Sequence, residues 1–181
     1  MEGIEQSETQ DAEQFRLLKQ SINHNQKSKY SERLLSIYVL GYGEIMNQSE
    51  VEEFVAKLDN VQREENFGYI FFFVGDDHRL AFVTIGYSDN EFDTVSNLNR
   101  EGVFRVNIGV SRETFRSLFA DARSENIDYS VLNVFLPHPH YAKQNFVCIL
   151  NPTQENAEIT KKLIVEAQSI AAARLKRRTG M

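Results

Sequence analysis

The sequence predicts an α+β fold in which helices pack on one face of a mainly antiparallel sheet, a two-layer sandwich. Helical apolar stripes alternate along the chain with runs rich in β-branched and aromatic residues, and the connections between these runs are short. Short connections favour antiparallel pairing, because parallel neighbours need a long crossover between them. With 41% apolar residues, 25% charged residues and 13 Phe, the 181-residue chain also has the composition of a globular protein.

Two parts are expected along the chain, an N-terminal extension over residues 1–45 and a single α+β domain over residues 46–178. The extension is polar, and we expect it to be partly helical or disordered. Its only helical apolar pattern is short, at Phe15, Leu18 and Ile22, and longer apolar patterns follow Met46.

The first predicted elements of the domain are a helix and a strand hairpin. Ser49 and Glu52 have the spacing of a capping box, in which each side chain bonds the other residue's backbone amide, and they predict a helix start. Residues 69–74 are apolar on both faces, which is typical of a central strand. Residues 75–79 then predict a hairpin loop, and residues 80–87 the returning strand.

A strand, a helix, a second strand and a closing helix follow. Residues 103–110 alternate, so that Arg105 and Asn107 lie on the face opposite the apolar side chains. Ser111 is placed to cap a helix that has one apolar stripe. Residues 146–150 predict another strand, and the last helix carries an apolar stripe that ends in four basic residues.

Composition and charge exclude several classes of protein. The single cysteine excludes an internal disulfide framework and a cysteine-only zinc site. No apolar run approaches the roughly 18 residues that cross a bilayer. The N-terminus also lacks the basic and then apolar segments of a secretory signal peptide. We therefore expect a cytoplasmic protein without a membrane partner. The formal charge is −6 overall and −8 over residues 47–173, which argues against a non-specific nucleic-acid binder.

Two arginines and an asparagine stand where a loop enters the strand of residues 103–110. The guanidinium of Arg100 or Arg105 can hold a carboxylate or phosphate through two parallel hydrogen bonds, and Asn107 shares the strand face of Arg105. The alternative is that both arginines tie down their own loop by pairing with its acids, and the abundance of acids favours this alternative. These acids are Asp89, Asp93 and Glu101.

The second candidate site is Pro-His-Pro-His-Tyr at residues 137–141. Two imidazoles on one side of an extended segment suit a transition metal, but no spacing supplies a third ligand, and we expect no metal. His138 could instead act as a general acid or base, since imidazole titrates near neutrality. The chain has no glycine-rich phosphate loop, nucleophile elbow or zinc-protease motif. We therefore expect no cofactor. The same observations favour a binding domain over an enzyme.

Two motifs resemble a bacterial family of proteins whose function is unknown. The first is Ser-x-Leu-x-Arg-x-Gly-Val-Phe-Arg-x-Asn at residues 96–107, and the second is Pro-His-Pro-x-Tyr followed by Cys-x-x-Asn-Pro within residues 137–152. The resemblance runs from about Met46 to Arg177. Its beginning implies that Met46 is the native start and that residues 1–45 are an upstream extension from start-site assignment. The motif residues that it implies are Asp93, Ser96, Leu98, Arg100, Gly102, Phe104, Arg105, Asn107, Pro137, His138, Pro139, Tyr141, Asn151 and Pro152.

The chain departs from that family's pattern at two positions. An acid is expected where Asn99 stands and a Trp where Phe146 stands, and His140 lies outside the pattern. The order of elements also looks like that of the YjbR/MmcQ-like group of small α/β proteins, for which DNA binding has been proposed. The charge of −8 over residues 47–173 argues against that role here.

Taken together, these patterns predict a domain that binds a small anionic molecule. Arg105 and Asn107 line the predicted site, with Arg100, His138 and Tyr141 at its rim. One alternative is an enzyme that uses His138 as a general acid or base beside an arginine-held substrate. The other is a protein- or nucleic-acid-interaction module that acts through the basic end of the last helix.

Overall fold

A six-stranded sheet, antiparallel at each neighbouring pair, forms the centre of this computed structural model. The structure describes residues 46–120 and 126–180, and the predicted extension over residues 1–45 lies outside them. The strands are β1 (Val61–Asn66), β2 (Tyr69–Val74), β3 (Val83–Gly86), β4 (Arg105–Gly109), β5 (Leu136–Pro137) and β6 (Phe146–Leu150), in the order β1-β2-β3-β4-β6-β5. The helices are α1 (Gln48–Ala56), α2 (Arg112–Phe119) and α3 (Gln154–Thr179). The predicted α+β fold is confirmed.

The hydrophobic core lies between the helices and one face of the sheet. α3 packs against β2, β3 and β4, and α1 packs against β1. β2, β3, β4 and β6 contribute alternate residues to this core, because successive side chains point to opposite faces. The buried strand residues of the core cluster include Ile70, Phe72, Val83, Ile85, Val106, Ile108, Val147 and Ile149, and α3 adds Leu163, Ile164 and Ala167.

The strand residues that lie between these core positions point to the opposite face of the sheet. Tyr69 of β2, Gly86 of β3 and Arg105 of β4 are neighbours across one row of that face. Asn107 stands two residues further along β4 on the same face. The predicted alternation of residues 103–110 is therefore confirmed, and it places the two polar side chains in the middle of the sheet.

α1 begins two residues earlier than predicted. Its N-cap is Asn47, whose Oδ1 accepts a hydrogen bond from the Glu50 N–H at 3.0 Å. Glu50 Oε2 in turn accepts one from the Asn47 N–H at 2.8 Å. The predicted box of Ser49 and Glu52 is wrong, because asparagine caps a helix as well as serine and Glu50 completes the same motif upstream.

β1 is absent from the predicted elements. Its sequence, Val-Gln-Arg-Glu-Glu-Asn, has no apolar alternation, and five of its six residues are exposed. It pairs only with β2, at the edge of the sheet. Charged side chains on such an edge discourage pairing with another chain. The polar sequence that prevented the prediction of this strand is therefore suited to an edge position.

α3 ends in the basic residues on which the interaction-module alternative rests. Arg178 forms an ion pair with Asp77, and this hydrogen bond lowers the pKa of the Asp77 carboxyl. Lys176 and Arg177 are exposed. No helix among the described residues combines the length and the apolar character that crossing a membrane requires.

Candidate functional site

A cavity of about 690 Å³ opens on the sheet face that lies away from the helical core. β2, β3 and β4 contribute lining residues from their second face. The loop between β2 and β3, the loop between β3 and β4, and the segment between β5 and β6 supply most of the remainder, and Phe67 of the β1–β2 turn and Phe146 of β6 complete it. The strand alternation that builds the core therefore also sets which side chains meet in the cavity.

One wall of the cavity is aromatic. Tyr69, Phe71 and Phe73 alternate along β2, with ring centroids 6.1 Å apart for the first pair and 6.4 Å apart for the second. At the mouth, the rings of Phe67 and Phe92 meet edge to face and are 64% and 72% exposed. Such rings offer a large apolar contact area to a flat partner at little entropic cost.

A glycine allows the Tyr69 ring to lie across the sheet. Gly86 stands directly opposite Tyr69 in the pairing of β2 with β3. A Cβ atom at Gly86 would lie 2.8 Å from Tyr69 Cε1 and 3.1 Å from Leu98 Cδ1, which is closer than carbon atoms pack. The missing side chain thus leaves room for the Tyr69 hydroxyl to reach Arg105 on the next strand.

A fully buried arginine organises the inner end of the cavity. Arg105 Nη1 donates to Ser96 Oγ at 2.7 Å. Its Nη2 donates to Asp93 Oδ2 at 2.5 Å and to the Tyr69 hydroxyl at 2.8 Å. The Tyr69 hydroxyl also donates to Asp93 Oδ2 at 3.0 Å. These contacts bind the loop that carries Asp93 and Ser96 to two strands of the sheet.

The charges of this network compensate each other. Burial raises the pKa of the Asp93 carboxyl, but the hydrogen bond and positive charge of Arg105 outweigh it, so that the pKa is lowered overall. Burial raises the pKa of the Tyr69 phenol, which stays protonated as a donor. The buried guanidinium therefore has a carboxylate as its counter-charge, as the loop-pairing alternative predicted for Arg105.

Two polar atoms at this inner end have no hydrogen-bond partner among the residues that the structure describes. Asn107 Nδ2 donates to Thr84 Oγ1 at 2.9 Å, whereas Asn107 Oδ1 accepts no hydrogen bond from any described residue. Arg105 Nε likewise has no acceptor among the described residues. Both side chains line the cavity, and Arg105 and Asn107 are 0% and 1% exposed. Buried polar atoms without partners are rare in folded proteins.

His138 is held as a neutral ring. Its Nδ1 accepts hydrogen bonds from the backbone N–H groups of His140 at 3.1 Å and Tyr141 at 3.2 Å, which places the proton on Nε2. Burial, helped by the positive charge of Arg105, lowers the pKa of His138 to about 3. A ring with this pKa is a weak base, so the contacts favour a hydrogen-bonding role over general-base catalysis.

The structure brings four of the five predicted site residues together. Arg105, Asn107, His138 and Tyr141 all line the cavity. Arg100 does not line it. Its guanidinium donates instead to three backbone carbonyl groups that join two loops, those of Asn97 at 2.9 Å, Ser96 at 3.2 Å and Ser130 at 2.9 Å.

His138 and His140, which were considered as metal ligands, contact different groups. The ring centroids of His138 and His140 are 6.1 Å apart, and His138 Nδ1 is occupied by backbone donors. His140 Nε2 lies 3.8 Å from Asp93 Oδ2. Within residues 46–120 and 126–180, no three His, Cys, Asp or Glu side chains form a group that could hold a metal ion.

The mouth of the cavity carries one further cation. The Arg79 side chain lines the cavity and is 78% exposed, with its Nε 3.9 Å from Asp77 Oδ1. Arg79 and Arg105 are the basic residues of the lining apart from histidines, and Asp93 is its acid. The lining thus has a formal charge of +1 with neutral histidines, on a domain that is otherwise acidic.

Cys148 lies fully buried in β6, beside Asn107 in the pairing with β4. Burial raises the pKa of its thiol to about 12, and only the thiolate reacts with disulfide reagents. We expect the native protein to release no thionitrobenzoate from Ellman's reagent at pH 8. In guanidinium chloride it should release one equivalent, since the chain has one cysteine. Rapid reaction of the native protein would show that β6 opens easily.

Sequence reasoning missed the aromatic wall and one member of the buried network. Tyr69, Phe71 and Phe73 belong to residues 69–74, which were predicted as a central strand with apolar residues on both faces. β2 is such a strand, and the face that carries these three side chains lines the cavity and leaves Tyr69 and Phe71 half-buried. The alternation of three aromatic residues at every second position was the available signal.

The described domain also matches a known family. Residues 46–180 match the family model described as a family of unknown function, DUF6194, and this range includes each residue of the cavity lining. No curated protein and no solved structure matches the chain, so the likeness to the YjbR/MmcQ-like group stays a prediction. From its first described helix to its last, the chain belongs to the DUF6194 family, whose function is unknown.

Proposed function

We propose that this domain binds a small anionic organic molecule with a flat apolar body. The observation that carries the proposal is the convergence of Arg105, Asn107, His138 and Tyr141 with an aromatic wall in one cavity. Small-molecule sites are concave, mostly apolar and furnished with a few convergent polar groups. The cavity has this character, and its volume of about 690 Å³ is within the range of such sites.

The aromatic wall supports a ligand with a flat ring system. Phe71 and Phe73 present nearly parallel rings, with 13° between their planes. His78 stacks on Phe73 at a centroid distance of 4.8 Å, with 3° between the ring planes, and also lines the cavity. A ring that lies on this surface gains dispersion contacts and removes apolar area from water.

The distribution of charge supports an acidic group on the ligand. Asp93 already compensates Arg105 at the inner end, whereas Arg79 is mostly exposed at the mouth. An acidic group is therefore attracted to the mouth, and the neutral polar part of the ligand meets Arg105, Asn107 and His138 inside. Selective attraction of an anion by a locally positive cleft does not require a basic protein.

A binding titration with 2-naphthoate tests the proposal. We expect 2-naphthoate to raise the melting temperature in a saturable way, because a ligand that binds only the folded state stabilises it. Gln144→Trp should weaken this effect by filling part of the cavity, since Gln144 lines it. Lys143→Trp is the matched control, an exposed neighbour in the same helical turn that does not line the cavity.

Two outcomes would contradict this proposal. Inorganic phosphate and naphthalene test the anionic and the flat part of the probe separately, and each should bind more weakly than 2-naphthoate. The proposal fails if 2-naphthoate gives no saturable binding. It also fails if Gln144→Trp and Lys143→Trp bind 2-naphthoate with the same affinity as the unmodified protein.

A further inference from the structure

We propose that the inner end of the cavity selects a carboxamide or lactam edge, a neutral group that offers one hydrogen-bond acceptor beside one donor. This inference rests on the proposed function and specifies which chemical group of the ligand points inward. It concerns the two polar atoms that the buried network leaves without partners, Arg105 Nε and Asn107 Oδ1.

The two atoms have opposite hydrogen-bonding character. Arg105 Nε carries a hydrogen and only donates, whereas Asn107 Oδ1 only accepts. The two residues are two positions apart on β4, so their side chains leave the same face of the sheet, with Cα atoms about 7 Å apart. Both line the cavity and are at least 99% buried. The proposal assigns both atoms to a single ligand group.

The contact with Thr84 leaves one atom of the Asn107 amide for a ligand. Thr84 Oγ1 lies 2.9 Å from Asn107 Nδ2 and accepts its hydrogen bond. Thr84 and Asn107 are direct partners in the pairing of β3 with β4, which brings the two side chains together. With the amide in this orientation, Asn107 Oδ1 has no donor among the described residues.

A carboxamide or lactam complements this pair of atoms, and a carboxylate does not. The amide C=O accepts from Arg105 Nε–H while the amide N–H donates to Asn107 Oδ1. A carboxylate offers acceptors only, so one of its oxygens would face the lone pairs of Asn107 Oδ1. A site whose buried polar groups are left unpaired discriminates strongly against the wrong ligand.

The charges at the inner end favour the same neutral group. Asp93 Oδ2 lies 2.5 Å from Arg105 Nη2 and compensates the guanidinium. A second carboxylate beside this pair would be repelled by Asp93 without a free cation to hold it. The acidic group of the ligand belongs instead near Arg79 at the mouth, so the ligand combines an inward amide edge, a flat ring and an outward acid.

Three matched probes test this inference by calorimetric or NMR titration. 2-Naphthoate has the acid and the ring only, 6-carbamoyl-2-naphthoate adds a carboxamide at the far end, and naphthalene-2,6-dicarboxylate adds a carboxylate there. We expect the carbamoyl probe to bind about tenfold or more tightly than the dicarboxylate, because one lost buried hydrogen bond corresponds to roughly this factor.

Two variants of Asn107 show whether the preference comes from its free oxygen. Asn107→Leu removes the acceptor, and we expect the carbamoyl probe then to bind no better than 2-naphthoate. Asn107→Asp keeps acceptor oxygens and adds a negative charge, so it should retain the carbamoyl probe and weaken the dicarboxylate further. Circular dichroism and melting temperature confirm that each variant is folded.

The outcomes separate this inference from the proposed function. If 2-naphthoate binds and the dicarboxylate binds as tightly as the carbamoyl probe, the amide preference is overturned and the small-molecule site stands. The preference is also overturned if Asn107→Leu leaves it unchanged. If none of the three probes binds, the proposed function fails and the inference fails with it.

Discussion

Asp93→Asn lowers the free energy of unfolding by about 3–5 kcal/mol, the cost of leaving a buried charge without its partner. The Arg105 side chain is 0% exposed and that of Asp93 is 11% exposed, so water compensates only weakly for the lost carboxylate charge. The substitution keeps the size of the side chain and removes its charge. Chemical denaturation followed by circular dichroism measures the effect.

A double-mutant cycle shows whether this loss belongs to the ion pair. We expect Asp93→Asn combined with Arg105→Met to be less destabilised than the sum of the two single variants, because removal of both charges leaves none buried and unpaired. Glu91→Gln, an exposed acid in the same loop, should change stability by less than about 0.5 kcal/mol. Additive effects of Asp93 and Arg105 would contradict the buried pair.

We expect acid to destabilise this protein through His138. Its pKa in the folded state is lowered to about 3, whereas a histidine in the unfolded chain titrates near 6.5. Between these values the unfolded state binds a proton that the folded state does not, so stability is present above pH 6.5 and is lost as the pH falls. We expect the free energy of unfolding to fall by up to about 1.4 kcal/mol per pH unit over this interval.

His138→Asn identifies the residue responsible for this loss. An asparagine Oδ1 can take the place of His138 Nδ1 as acceptor for the two backbone N–H groups, and it does not titrate. This variant should fold at pH 7 and show a smaller loss of stability between pH 6.5 and pH 4. His140→Asn, in the exposed neighbouring residue, should keep the loss. Equal acid dependence in both variants would contradict a buried neutral His138.

Much of the fold could be predicted because it rests on local patterns. The alternation of residues 103–110 and the apolar run of residues 146–150 are both strands of the sheet. Ser111 caps α2 as expected, with its side chain accepting from the Thr114 N–H. β1 could not be found in this way, because an edge strand exposed on both faces has no apolar period.

The candidate site was predicted in part for a similar reason. Arg105 and Asn107 share a strand face, which local alternation determines. Tyr69 lies 36 positions before Arg105 and reaches it only through the pairing of β2 and β3 with β4. The role of Gly86 depends on the same register. Such contacts between distant segments leave no periodic signal in one sequence.

Amide chemical shifts in a ¹⁵N-labelled sample show whether a ligand occupies the proposed site in the cavity on the open face of the sheet. On titration with 6-carbamoyl-2-naphthoate, we expect the largest saturable shifts in β2, β4 and residues 138–146, around Arg105 and Asn107. Amides of α1 and of the basic end of α3 should barely move. Shifts centred on the basic end of α3, or no shifts at saturating probe, would rule out a ligand site in this cavity.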